Sequence, residues 1–192
     1  MNFILFIVLI TIYLLEQYAY WKHISQNKRE AAVTITEYGW AYLWDFLLFV
    51  VFVVFVYRLF FLRSPLILLE LMGAIVFVIG TGLRIWSLRE LGPMYSAGVH
   101  IQTDHEIIKS GPYRILRHPL HLGSFLQIIG LLFFSLFAWW IFWPVAVLTL
   151  GITLYESRHE DKMLHIELGD AWAEHYMKTW DIVDLVFRKR RS

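Results

Sequence analysis

His118 and His121, three positions apart, and Glu156 and Glu160, four apart, are the side chains of this sequence best suited to acid–base work. Both spacings put a pair on one face of a helix. Imidazoles and carboxylates are the usual proton carriers of a site, so Glu156, His121 and His159 are the candidate bases. Arg117-His118-Pro119 stands where a polar stretch gives way to an apolar one. Proline suits the first turn of a helix, where its missing N–H is not needed, so the triplet reads as a helix start with a cationic flank. Glu156-Ser157-Arg158-His159-Glu160-Asp161-Lys162 follows the last apolar run. An acid leaving a bilayer is often only a solvated cap, and the pairing of Glu156 with Glu160 is what lifts this run above that reading. The chain contains no cysteine, which excludes disulfides, thiolate zinc sites and a cysteine nucleophile, and no metal is expected.

These groups need elements to hold them, and composition says what kind. Only 17% of the 192 residues are charged, against about 25% in a soluble domain, so the apolar excess calls for lipid. Asn2 to Leu15 is an apolar span followed by the collar Tyr18, Tyr20 and Trp21, as expected where a helix leaves a bilayer. It carries neither the basic start nor the cleavage site of a signal peptide. Lys22 to Glu37 reads as a polar loop, Gly39 to Leu62 as a second span, and Leu66 to about Ser87 as a third with Gly73, Gly80 and Gly82 along it. Such small residues let helices approach closely in lipid. Leu88 to Arg117 is polar and rich in turn residues, an extramembrane segment.

From Leu120 to Tyr155 no Asp, Glu, Lys or Arg occurs. One helix of that length would be ~54 Å long, far beyond a hydrocarbon core of about 30 Å. The run must fold double, with Ala138 to Pro144 as the expected tip, and the fold brings His118 beside Glu160. Glu156 to Tyr176 has apolar residues at three- and four-residue spacing and reads as an amphipathic helix. All but Arg58 and Arg63 of the 17 basic residues fall on one side when the N-terminus lies outside, which puts the 88–117 loop and the C-terminal segment in the cytoplasm. Arg188 to Arg191 is a basic cluster suited to anionic headgroups.

Gly-Pro-Tyr-Arg-x-x-Arg-His-Pro-x-x-x-Gly, from Gly111 to Gly123, resembles the signature of the isoprenylcysteine carboxyl methyltransferase family. So does an apolar hairpin followed by Glu160-Asp161 and by Leu168-Gly169-Asp170-x-Trp172-x-x-x-Tyr176. Membrane phospholipid methyltransferases share much of the pattern, which runs from about Arg84 to Trp180. The spans read above add up to an all-α integral membrane protein of about five transmembrane helices, the last two a hairpin, with the C-terminal amphipathic helix, and the resemblance makes the cytoplasmic loop a cofactor-binding one. The chain reads as one domain over 1–192: three spans in 1–87, a family-matching catalytic region in 88–180 enclosing the hairpin 120–155, and a basic tail in 181–192.

The same resemblance implies S-adenosylmethionine as cofactor. Gln102, His105, Glu106, Ile107, Ile108, Tyr113, His118, Pro119, Leu120, His121 and Glu160 would bind it. The backbone of 105–108 would pair with the adenine edge, Tyr113 would pack on it, and a carboxylate would hold the ammonium by a charge-assisted bond. Glu156, Arg158, His121 and Arg117 are the catalytic candidates. The expected partners are membrane lipid and a lipophilic or prenylated methyl acceptor, with no nucleic acid.

Two positions depart from the family. His121 stands where a tyrosine is usual, and Glu156 stands where the family has an arginine thought to hold the acceptor's carboxylate. An anion there repels a carboxylate, and Arg158, on a different helical face, would replace it only in a distorted helix. A phospholipid amine or other small lipophile is therefore the rival acceptor. A membrane sterol-type reductase would need a cluster of cations for its nucleotide phosphate, and Arg114 and Arg117 are too few.

Overall fold

A computed structural model of the chain describes residues 2–26, 46, 49, 50, 53, 56, 57, 67–92, 107–134, 139–182 and 184. Among them the architecture is helical: α1 (Asn2–Gln26), α2 (Ile67–Leu91), a short turn of 3-10 helix (Gly111–Arg114), α3 (Pro119–Phe134), α4 (Trp139–Leu168) and α5 (Asp170–Lys178). The expected second span falls outside the described residues apart from scattered helical positions. α2 is long and apolar enough to cross a membrane. Its outward face carries Leu68, Ile75 and Ile79, each more than half exposed, a surface that water would penalise and lipid would not.

α2 and α3 form the closest helix pair, and their glycines show how. A Cβ on Gly80 would come 2.7 Å from the Gly123 carbonyl oxygen, and one on Gly130 would come 2.7 Å from that of Gly73. The partners are seven residues apart on each helix and run in opposite order, so the helices are antiparallel with backbones touching at two levels. Phe77 of α2 and Ile128, Leu131 and Leu132 of α3 fill the core beside this seam, and Leu9 of α1 closes it.

Three boundaries differ from the sequence reading. α1 continues beyond its aromatic collar to Gln26, and Glu16, the expected end of the span, is buried inside the bundle. α4 begins at Trp139 with Pro144 inside it, so Trp139 to Pro144, expected in the tip, are part of the helix. The apolar run also continues without a break into the charged run, making Trp139–Leu168 one helix. The expected amphipathic helix is thus the end of α4 plus the separate α5, divided at Gly169, whose φ of 54° is a left-handed backbone that glycine adopts without penalty. α5 turns Trp172 and His175 inward.

Candidate active site

The hairpin brings its two charged ends together. Pro119 opens α3, and the carbonyl of His118 accepts the Leu122 N–H at 3.2 Å, so His118 sits at the helix mouth with His121 one turn inside. Ser157, Glu160 and Asp161 face them from α4. His118 Nδ1 lies 3.2 Å from Glu160 Oε2, and His118 Nε2 lies 2.8 Å from Asp161 Oδ1. His121 Nε2 is 3.6 Å from the same Glu160 oxygen, and its Nδ1 is 3.2 Å from Ser157 Oγ. The two imidazoles are stacked, 5.4 Å between centroids and 15° from parallel.

Two carboxylates on one ring decide its charge. Burial disfavours the imidazolium of His118, but the Glu160 charge and the hydrogen bonds that the ring donates to Asp161 and Glu160 outweigh it and hold the pKa up to about 10. His118 is therefore an imidazolium at neutral pH. His118, His121 and Glu160 bring metal-capable atoms within 4.8 Å of one another, and those side chains are paired with one another as histidine–carboxylate contacts. Tyr113, from the 3-10 turn, is buried, and burial followed by the Glu160 charge pushes its hydroxyl well above the usual range despite a hydrogen bond with Ser87. It stays a neutral phenol.

Around this centre lies a ring of supports. Arg117 bonds Asp161 at 2.9 Å, pairs with Asp184, and places its guanidinium carbon 4.0 Å from the centre of the Tyr176 ring. Trp172 packs against His118 and His175, at centroid distances of 6.4 and 5.4 Å. Burial, then the charges of Lys109 and Arg117, lower the pKa of His175, so it is neutral at pH 7. The backbone of 116–117 pairs with Trp180: the Arg117 N–H donates to the Trp180 carbonyl and the Trp180 N–H to that of Ile115, both at 2.8 Å.

The residues picked from sequence divide into three groups. His118, His121, Glu160 and Tyr113 converge, and Pro119 is buried and Leu120 half-buried at the start of the same helix. Ile107 and Ile108 are half-buried at the approach to the 3-10 turn, while Gln102, His105 and Glu106 lie outside the described residues. Of the catalytic candidates, Arg117 is 2% exposed with its guanidinium committed to two acids, so it supports the site from behind. Glu156 is half-buried and Arg158 exposed, and α4 is regular between them. Two residues apart on a helix is about 200° of rotation, so Arg158 does not stand in for a cation at position 156.

Sequence reasoning missed Ser157, Asp161 and Asp184 as site residues. Ser157, Glu160 and Asp161 follow the i, i+3, i+4 rule of a shared face, a signal the Glu156–Glu160 pairing overshadowed. Asp184 has none, being an acid in a stretch read as basic tail.

Among curated proteins none matches this chain. The isoprenylcysteine carboxyl methyltransferase family model matches residues 71–166, which take in most of α2, the 3-10 turn, α3 and most of α4, and therefore both walls of the His118–Glu160 centre. With half of its length covered by that model and the hairpin closed around the matching motifs, the chain belongs to the isoprenylcysteine carboxyl methyltransferase family of membrane methyltransferases.

Proposed function

We propose that the chain transfers a methyl group from S-adenosylmethionine to a lipophilic acceptor at the cytoplasmic membrane face, in the manner of an isoprenylcysteine carboxyl methyltransferase. The observation that carries this is the 3.2 Å contact of His118 with Glu160 at the open end of an apolar hairpin. The residues present suit the cofactor. The Glu160 side chain is 36% exposed, so a carboxylate already oriented by His118 remains open to an ammonium group. Tyr113, kept neutral, offers an apolar ring near it, and Ile107 and Ile108 are assigned to the adenine by family resemblance. Gln102, His105 and Glu106 are assigned to the same task by family resemblance.

When bound, the cofactor supplies an electrophilic methyl group on a sulfonium, ready for in-line displacement. The chain's own part is positioning and exclusion of water. The exposed apolar faces of α2 and α4, including Trp143, Val147 and Leu148, suit lateral entry of the acceptor from lipid. Methyl incorporation from labelled cofactor into membrane extracts tests the reading: wild type labels an extractable lipid or peptide and Glu160→Ala does not. Equal labelling rejects Glu160 as the cofactor's anchor.

A second reading of the acceptor has its own support. Glu156 occupies the family's arginine position, α4 is undistorted, and Arg158 faces solvent, so this part of α4 offers a carboxylate no cation. A phospholipid amine or other neutral nucleophile fits better there, with Glu156 or His121 as base. A sterol-type reductase fits poorly, since Arg117 is spent on Asp161 and Asp184, leaving Arg114 as the cation for a phosphate among the two first considered.

The topology belongs to the same proposal: five spans, N-terminus outside, site and C-terminus in the cytoplasm, with 15 of the 17 basic residues inside. Because the chain has no cysteine, single cysteines introduced at Ser64 and Ser192 report their side directly to an impermeant thiol reagent. Labelling from the same side of sealed vesicles would overturn the topology.

A further inference from the structure

The centre described above does not end at Asp161. Asp161 also binds Arg117, and Arg117 binds Asp184, which lies outside the family match of 71–166. Read outward, the groups alternate in sign: Glu160, His118, Asp161, Arg117, Asp184. From Arg117 outward, each is at least nine-tenths buried. The far end is anchored by backbone. Asp184 Oδ2 accepts the Asp181 N–H at 3.1 Å, and the Asp181 carboxylate accepts the Ile182 N–H at 2.7 Å. Trp180, just before them, is in turn tied to the segment that leads into α3 by backbone hydrogen bonds with Ile115 and Arg117.

We infer that Asp184 is a positioning residue for the candidate active site, acting through Arg117 and Asp161 to fix His118 and thereby present the Glu160 carboxylate. The physical reason is competition for one acid. Arg117 is buried between two acids, and when one is lost the other is left to answer its whole charge. With both in place, Asp161 is shared, one oxygen on Arg117 and the other on His118. Without the Asp184 charge, Arg117 draws Asp161 to itself, the His118 ring loses its Nε2 partner, and Glu160 loses the fixed cation that orients it. The segment 170–184 is then part of the active site rather than a tail behind it, since Tyr176 and Trp172 of α5 pack on Arg117 and His118.

The charge on His118 reads this out independently of any ligand. The groups facing its ring are Glu160 and Asp161 from α4, His121 from α3 and His175 from α5, with Arg117 beside it, so a change made at Asp184 reaches it through Asp161. Imidazole NMR of the full chain in detergent, with the His118 signal assigned from His118→Gln, gives its titration midpoint. Asp184→Asn keeps size and shape and removes the charge. The midpoint should fall by about one pH unit or more, a tenfold loss of proton affinity, and Asp161→Asn combined with it should add little, because the two act in one chain. If Asp184→Asn does not fold, Asp184→Glu keeps the charge but displaces it, and a smaller fall is expected. A folded variant with the wild-type midpoint overturns the inference.

The consequence for ligand binding rests on the methyltransferase reading: S-adenosylhomocysteine should bind Asp184→Asn about tenfold more weakly. A wild-type protein that binds none of it counts against that reading, while the imidazole titration still decides the role of Asp184.

Discussion

Two chains of buried polar groups run through this molecule, and they end differently. The first joins α1, α2 and α3. Arg84 pairs with Glu16 and donates to Ser124, while the Gln127 amide donates to Glu16 and, at 2.9 Å, to Thr81. The Glu16 side chain is fully buried and that of Arg84 is 12% exposed. The second runs from Asp184 to Glu160 at the hairpin mouth, and its last member is 36% exposed. The chemistry is alike in both. A chain closed at both ends fastens helices that lipid alone would not hold together, whereas a chain with one open end presents a charged group to a ligand.

The sharpest way to break this comparison is to remove a cation from the closed chain. Arg84→Met strands Glu16 in the bundle and should cost about 3–5 kcal/mol, read as a large drop in thermal stability in detergent. Glu160→Gln, at the open chain's exposed end, should cost clearly less of the same stability, because the His118 imidazolium keeps Asp161 as its partner. Equal losses from the two would erase the distinction between fastener and site.

A smaller effect concerns pH. Folding raises the His118 pKa from its ordinary 6.5 to about 10. A base raised in this way adds stability that is fully present below pH 6.5 and is lost as pH climbs through 10. Wild type should therefore lose thermal stability from pH 6.5 to 10 more steeply than His118→Gln. Parallel curves would mean that His118 carries no shared proton with its acids.

Much of this was legible in the residues. The 36-residue run without a charge had to fold double, and that one constraint brought His118 to Glu160. Gly73 and Gly80 announced a close helix contact, though not that Gly130 and Gly123 would answer them. Glu16 misled, because an acid at the end of an apolar run looks like a boundary. Its burial depends on Arg84 and Gln127, which lie 68 and 111 residues away in sequence. Arg117 misled similarly: a cation before a helix-starting proline looks like a membrane flank, and only the tertiary contacts with Asp161 and Asp184 show it enclosed by acids.

Hydropathy and helical period depend on neighbouring residues, so the sequence by itself determined that the chain is helical, prefers lipid, doubles back between His118 and Glu160 and carries the family's motifs. Which charges meet is a matter of distance in space. Only the tertiary structure decided that Ser157 and Asp161 face the histidines beside Glu160, and that Arg117 serves the site from behind. It also brought Asp184 into the same chain of charges, because a buried ion takes whatever counter-charge the packing of separate elements delivers.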